Sequence, residues 1–203
     1  MILGVFTIPT LITYLGLMCS FSSCIVALNG RLDIALVLFI FAGIFDLFDG
    51  MIARKLNKTD EEKSFGIQID TVIDVFSFGA TPIIIGMSVG LNTIADYIIF
   101  GIYLMTATMR LAYFSYLSSQ KEDDKPVKYY TGLPVTYSAL IFPLFFLLKN
   151  ILSENFTMVL RLVYILVAIL YILKVKIVKP KGIWYMIFLL LAIVVSVVTI
   201  VLL

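Results

Sequence analysis

Asp46, Asp49, Gly50, Ala53 and Arg54 stand at i, i+3, i+4, i+7 and i+8 in "GIFDLFDGMIARKLN", residues 43–57. That spacing is one stripe of an α-helix. Further on, in "FGIQIDTVIDVFSFG", Gly66, Asp70 and Asp74 fall at i, i+4 and i+8, again one stripe. Both stripes adjoin long apolar runs, where a carboxylate costs on the order of 3 kcal/mol or more unless something compensates it. Four carboxylates drawn into one pocket repel and cannot all ionise without a cation. The chain has no histidine, and Cys19 and Cys24 both lie in the first apolar run as small packing residues. Ligands that are all hard oxygens suit Mg²⁺, Mn²⁺ or Ca²⁺ rather than zinc. Gly50 and Ala53 leave their helix face bare for a close approach, and Arg54 adds a guanidinium suited to phosphate. A cation transporter would also use intramembrane carboxylates. It would want them near the midplane within a visible repeat. Here all four lie near one membrane face and no repeat is present.

These stripes need helices to carry them. The 203 residues are 62% hydrophobic and only 14% charged, with mean hydropathy +1.09. Soluble domains carry about 25% charged residues, so the chain is an integral membrane protein. Its apolar runs are continuous and helix-length, unlike the short alternating strands of a β-barrel. They predict spans at 8–29, 33–53, 66–90, 94–118, 132–149, 156–174 and 183–203. That makes seven spans, or six if the last run is read differently, in one all-α polytopic bundle covering residues 1–203 as a single domain. The start, "MILGVFTIPT", lacks the positive charge of a cleaved signal, so the first run is expected to remain as a span. A net charge of +2 without a basic field gives no reason to expect nucleic acid. Without histidine there is no His triad, His base or His-bound metal.

Lysine and arginine set the orientation. Arg54, Lys55, Lys58 and Lys63 follow the second span, Lys121, Lys125 and Lys128 the fourth, and Lys174, Lys176, Lys179 and Lys181 the sixth. The alternate loops hold little beyond Arg31 and Lys149. The first set is therefore assigned to the cytoplasm, placing the carboxylates at the cytoplasmic face of a multi-pass cell-membrane protein. "QKEDDKPVK" reads as a solvated loop, and "KVKIVKPKG" as a topology signal able to attract anionic headgroups. Arg161 is expected to snorkel or to pair with Glu154, and Gly86 and Gly90 are candidates for helix contact.

"DLFDGMIAR" (46–54) followed by "GIQIDTVID" (66–74) resembles the signature of the CDP-alcohol phosphotransferases. The matching positions are Asp46, Asp49, Gly50, Ala53, Arg54, Gly66, Asp70 and Asp74. One departure is the eleven residues Lys55–Phe65 between Arg54 and Gly66, more than the family usually has; the extra ones are polar ("NKTDEEKS") and are expected to form a longer cytoplasmic loop. "DVFSFGATP" (74–82), "RLAYF" (from Arg110) and "YTGLP" (130–134) are similar to segments of small integral-membrane phosphatidylserine synthases within that family. Phosphatidylglycerophosphate synthases tend to carry lysine after the last Asp, whereas Val75 stands here.

The resemblance implies transfer of a phosphatidyl group from CDP-diacylglycerol to L-serine with release of CMP. Glycerol 3-phosphate, an inositol phosphate and another amino alcohol are the alternative acceptors. It implies two divalent ions, Mg²⁺ or Mn²⁺, with Asp46, Asp49 and Asp70 as principal ligands. Asp74 would contact the second ion and accept the serine proton. Gly50, Ala53, Arg54 and Gly66 would receive the nucleotide and phosphate, joined by Thr10, Thr13 and Ser64. Arg110 is the candidate for the serine carboxylate, its alternative being an ion pair with a motif carboxylate, and Lys128 and Thr131 would help from the adjoining loop. Membrane lipids surround such an enzyme, and a homodimer is the family expectation.

Overall fold

A computed structural model describes residues 4–119, 129–174, 176–178 and 183–203. Helix α1 (Ile8–Leu28) begins where Thr7, in extended backbone, accepts the Thr10 N–H, with Pro9 in the first turn where no N–H is needed. It ends at Asn29 and Gly30, whose φ of +79° turns the chain back. Helix α2 (Leu32–Ala53) then packs along the whole of α1. Gly16, Ser20, Ser23 and Ala27 line the buried face of α1, so the backbones approach closely. The Ser23 hydroxyl donates across the gap to the Ala35 carbonyl (2.6 Å).

Helix α3 (Asp60–Asp74) starts earlier than the apolar run suggests. Thr59 and Glu62 form a capping box: Thr59 accepts from the Glu62 N–H (3.2 Å) and Glu62 accepts from the Thr59 N–H (2.8 Å). Asp60, Glu61 and Glu62 also favour the positive end of the helix dipole. Much of the expected loop Lys55–Phe65 is therefore helix, a correction that "TDEE" (59–62) already contained. After Asp74 the helix widens into a π-turn (Val75–Ala80) and resumes as α4 (Thr81–Ser88).

Helix α5 (Ile94–Ser119) follows, then strand β1 (Tyr129–Thr131), a 3₁₀ turn (Val135–Tyr137) and α6 (Ser138–Phe146). Short α7 (Lys149–Leu152) leads through a 3₁₀ turn into α8 (Phe156–Ile172), then strand β2 (Lys176–Val178) and α9 (Ile183–Leu202). The two three-residue strands pair antiparallel, Tyr130 opposite Ile177. They do not alter the all-α architecture of the bundle.

Among the described residues, six helices are long and apolar enough to cross a membrane: Ile8–Leu28, Leu32–Ala53, Asp60–Ser88, Ile94–Ser118, Lys149–Ile172 and Tyr185–Leu202. The expected span 132–149 is only the short apolar helix Val135–Phe146. Gly132, at φ +78°, and Pro134 delay its start. At 1.5 Å per residue it reaches about 18 Å, short of a roughly 30 Å bilayer core.

The core gathers Phe39, Phe78, Phe100, Tyr103, Phe142 and Tyr164. Tyr103 and Tyr164 meet edge-on, with ring centroids 5.4 Å apart. Two glycines allow the closest helix crossings: a Cβ on Gly43 would lie 2.7 Å from Ala139 Cβ, and one on Gly86 would lie 2.7 Å from Tyr164 Oη. Gly86 is thus the helix contact expected of it, whereas Gly90 (φ +99°) serves a turn.

Arg161 does not pair with Glu154. Its Nε donates to Asp96 Oδ1 (2.6 Å) and its Nη2 to Asp96 Oδ2 (3.2 Å), tying α8 to α5. Asp96 is fully buried and also accepts from the Thr93 N–H and hydroxyl.

Candidate active site

The last two turns of α2 bring Asp46 and Asp49 to one face, and the C-terminal half of α3 brings Asp70 and Asp74. One carboxylate oxygen from each of Asp46, Asp49 and Asp70 lies within 4.8 Å of the others. Asp74 is outside this triad but within hydrogen-bonding reach of the Asp46 carboxyl. The two helical stripes thus meet at one place, as their spacing predicts.

The oxygens suit a hard divalent cation. Asp70 Oδ1 is buried and has no hydrogen-bond partner, the state of a ligand atom rather than of a satisfied side chain. Cβ atoms added to Gly50 or Gly66 would meet nothing within 4 Å. Neither glycine is there to let helices touch; each leaves open space beside the carboxylates.

Thr13 of α1 stands behind the triad. Its hydroxyl lies 2.7 Å from Asp49 Oδ2 and 3.0 Å from the Pro9 carbonyl. Thr10 is also buried but turns to the Thr7 hydroxyl (2.8 Å), within its own helix turn. Ala53 closes α2, and Arg54 caps it with an exposed guanidinium 3.5 Å from the Tyr185 hydroxyl of α9. Ser64 is exposed on the second turn of α3.

Arg110 is buried in α5, with Nη2 donating to the Gly132 carbonyl (2.9 Å) and its guanidinium 4.3 Å from the Phe114 ring centre; it lines neither pocket beside the carboxylates. The backbone of Thr131 belongs to β1. Lys128 lies outside the described residues. A pocket between α2, α6 and α9 joins Asp46 to Gly43, Thr136, Tyr137 and Phe188. Thr136 and Tyr137 line this pocket and Tyr185 meets Arg54, though none of the three belongs to a sequence motif. No local pattern marks them, because they reach the site through helix packing.

The CDP-alcohol phosphatidyltransferase family model matches residues 6–202, nearly the whole chain. The chain belongs to this family. The sequence is 29% identical over 141 residues to the archaetidylserine synthase of Methanothermobacter thermautotrophicus, covering 69% of this chain and 58% of that protein. It is 31% identical over 123 residues to the CDP-diacylglycerol–serine O-phosphatidyltransferase of Saccharomyces cerevisiae, covering 58% and 44%. The Bacillus subtilis protein of the same name is 31% identical over 134 residues, covering 66% and 71%. The chain thus spans about half the length of the first two. For a CDP-alcohol phosphatidyltransferase the site has the needed parts: a carboxylate triad able to bind a divalent metal, and open space beside two glycines.

Proposed function

We propose that this chain transfers the phosphatidyl group of CDP-diacylglycerol to the hydroxyl of L-serine and releases CMP at the cytoplasmic face of the membrane. The observation that carries the reading is the meeting of Asp46, Asp49 and Asp70 within 4.8 Å, with Asp74 beside Asp46. Serine as the acceptor is supported by the names of the three relatives, which share that alcohol.

In this reading the serine oxygen forms a bond to the β-phosphorus. The bond from that phosphorus to the bridging oxygen breaks, and its electron pair leaves with CMP. Asp74 takes the serine proton. Asp46, Asp49 and Asp70 would hold Mg²⁺ or Mn²⁺, with Asp74 as a ligand of a second ion, and such ions would supply charge neutralisation for the pyrophosphate. Thr13 holds Asp49 in place as a ligand. Gly50, Ala53 and Gly66 leave room for the nucleotide, Arg54 and Ser64 face its phosphates, and Thr10 lies at the edge. Arg110 receives the serine carboxylate, with Thr131 and Lys128 on the adjoining segment.

The test is CMP release from CDP-diacylglycerol by purified protein with Mn²⁺ or Mg²⁺, offering L-serine, glycerol 3-phosphate, inositol phosphate or no acceptor. Serine-dependent CMP that Asp74→Asn abolishes is the expected result. CMP with a different acceptor replaces serine while keeping the site. Folded protein that binds metal and releases no CMP overturns the reading in favour of cation transport.

A further inference from the structure

Ser77 follows Asp74 by three residues and is buried, yet its hydroxyl has no hydrogen-bond partner. Hydroxyls inside helices usually return their proton to a carbonyl one turn back. Thr71 does so to Ile67, Thr106 to Tyr103 and Ser138 to Val135. Ser77 sits instead in the π-turn Val75–Ala80, a helix defect that recurs at functional sites. The turn is held by side chains from outside it: Tyr103 Oη donates to the Phe78 carbonyl (2.7 Å), and Thr81 Oγ1 to the Phe76 carbonyl (3.2 Å). Tyr103 is itself 3.2 Å from the Tyr171 hydroxyl.

Ser77 lines a small pocket, open on one side, whose other polar walls are Thr13, Asp46, Asp49 and Asp74. Thr13 is already committed to Asp49 and Pro9, so the spare donor facing this space is Ser77. A hydroxyl buried without a partner destabilises a fold. Such a group placed against a carboxylate cluster points to a ligand that completes it.

We propose that Ser77 binds the acceptor alcohol. Its hydroxyl donates to the oxygen that attacks phosphorus and places that oxygen against Asp74. One lone pair of the alcohol oxygen goes to phosphorus, its proton goes to Asp74, and the remaining lone pair accepts from Ser77. This assignment rests on the phosphatidyl-transfer reading and adds the residue that meets the reacting hydroxyl.

The experiment compares Ser77→Ala with Ser20→Ala, using whichever alcohol supports CMP release by the wild type. Ser20 is equally buried and partnerless, but it is on α1 and does not line the pocket. Removing an unpaired hydroxyl leaves Tm unchanged or raises it in both variants. Ser77→Ala then lowers kcat/KM for the alcohol about tenfold, one hydrogen bond's worth, without changing KM for CDP-diacylglycerol. Ser20→Ala keeps wild-type kinetics, and Ser77→Thr, which retains a hydroxyl, recovers efficiency toward the alcohol. Unchanged kcat/KM for the alcohol in Ser77→Ala overturns the assignment, as does a lowered Tm with equal effects on both substrates. A wild type that uses a different alcohol corrects the substrate alone, because the Ser77 comparison is read with that alcohol.

Discussion

Thr13 Oγ1 lies 2.7 Å from Asp49 Oδ2, joining α1 to the carboxylate triad across 36 residues of sequence. A ligand's outer partner fixes its rotamer, and losing such a partner typically weakens metal binding roughly 10- to 100-fold. Thr13→Val therefore raises the Mn²⁺ concentration for half-maximal activity about tenfold. Thr13→Ser keeps the hydroxyl and stays near wild type. A metal titration of CMP release separates the two.

The triad oxygens themselves have a larger effect than their support. Asp49→Asn and Asp70→Asn each lower metal-dependent turnover by more than the roughly 10- to 100-fold expected for an outer partner. A chelator abolishes turnover, and excess Mg²⁺ or Mn²⁺ restores it. CMP release measured before and after the chelator, on the same preparation, checks both statements.

Gly43 and Gly50 lie on one helix, yet they should respond oppositely to the same change. A Cβ at Gly43 would stand 2.7 Å from Ala139 Cβ, whereas one at Gly50 would meet nothing within 4 Å. Gly43→Ala forces α2 from α6 and lowers Tm. Gly50→Ala keeps or raises Tm, since alanine is favoured over glycine in a helix by up to about 1 kcal/mol, and raises KM for CDP-diacylglycerol. Thermal unfolding in detergent beside steady-state kinetics reads both.

Asp96 is fully buried against an Arg161 side chain that is 31% exposed. Removing one partner of a fully buried pair costs about 3–5 kcal/mol, and an exposed pair about 0–1. Arg161→Ala strips the buried partner's cation, and a destabilisation of about 2–3 kcal/mol is expected. Activity per folded molecule stays at the wild-type level, because the pair joins α5 to α8 away from the carboxylates. Unfolding and turnover measured on one sample decide it.

The sequence by itself determined the membrane class, most of the helix count and the two acidic stripes. Hydropathy and the 3.6-residue period are local, so Asp46 with Asp49 and Asp70 with Asp74 were legible before any fold was known. The start of α3 was legible too, in the Thr59–Glu62 capping box, but the apolar run drew the boundary later. The partners were decided only by the tertiary structure. Arg161 chooses Asp96, 65 residues away, over nearby Glu154. Tyr103 reaches the Phe78 carbonyl, and Thr13 reaches Asp49. Whether Ser77 returns its proton to its own helix or keeps it for the pocket depends on the π-turn, whose carbonyls accept from Tyr103 of α5 and from Thr81 just beyond the turn. Local periodicity assigns a residue to a helix face; which group lies opposite that face depends on how distant helices pack.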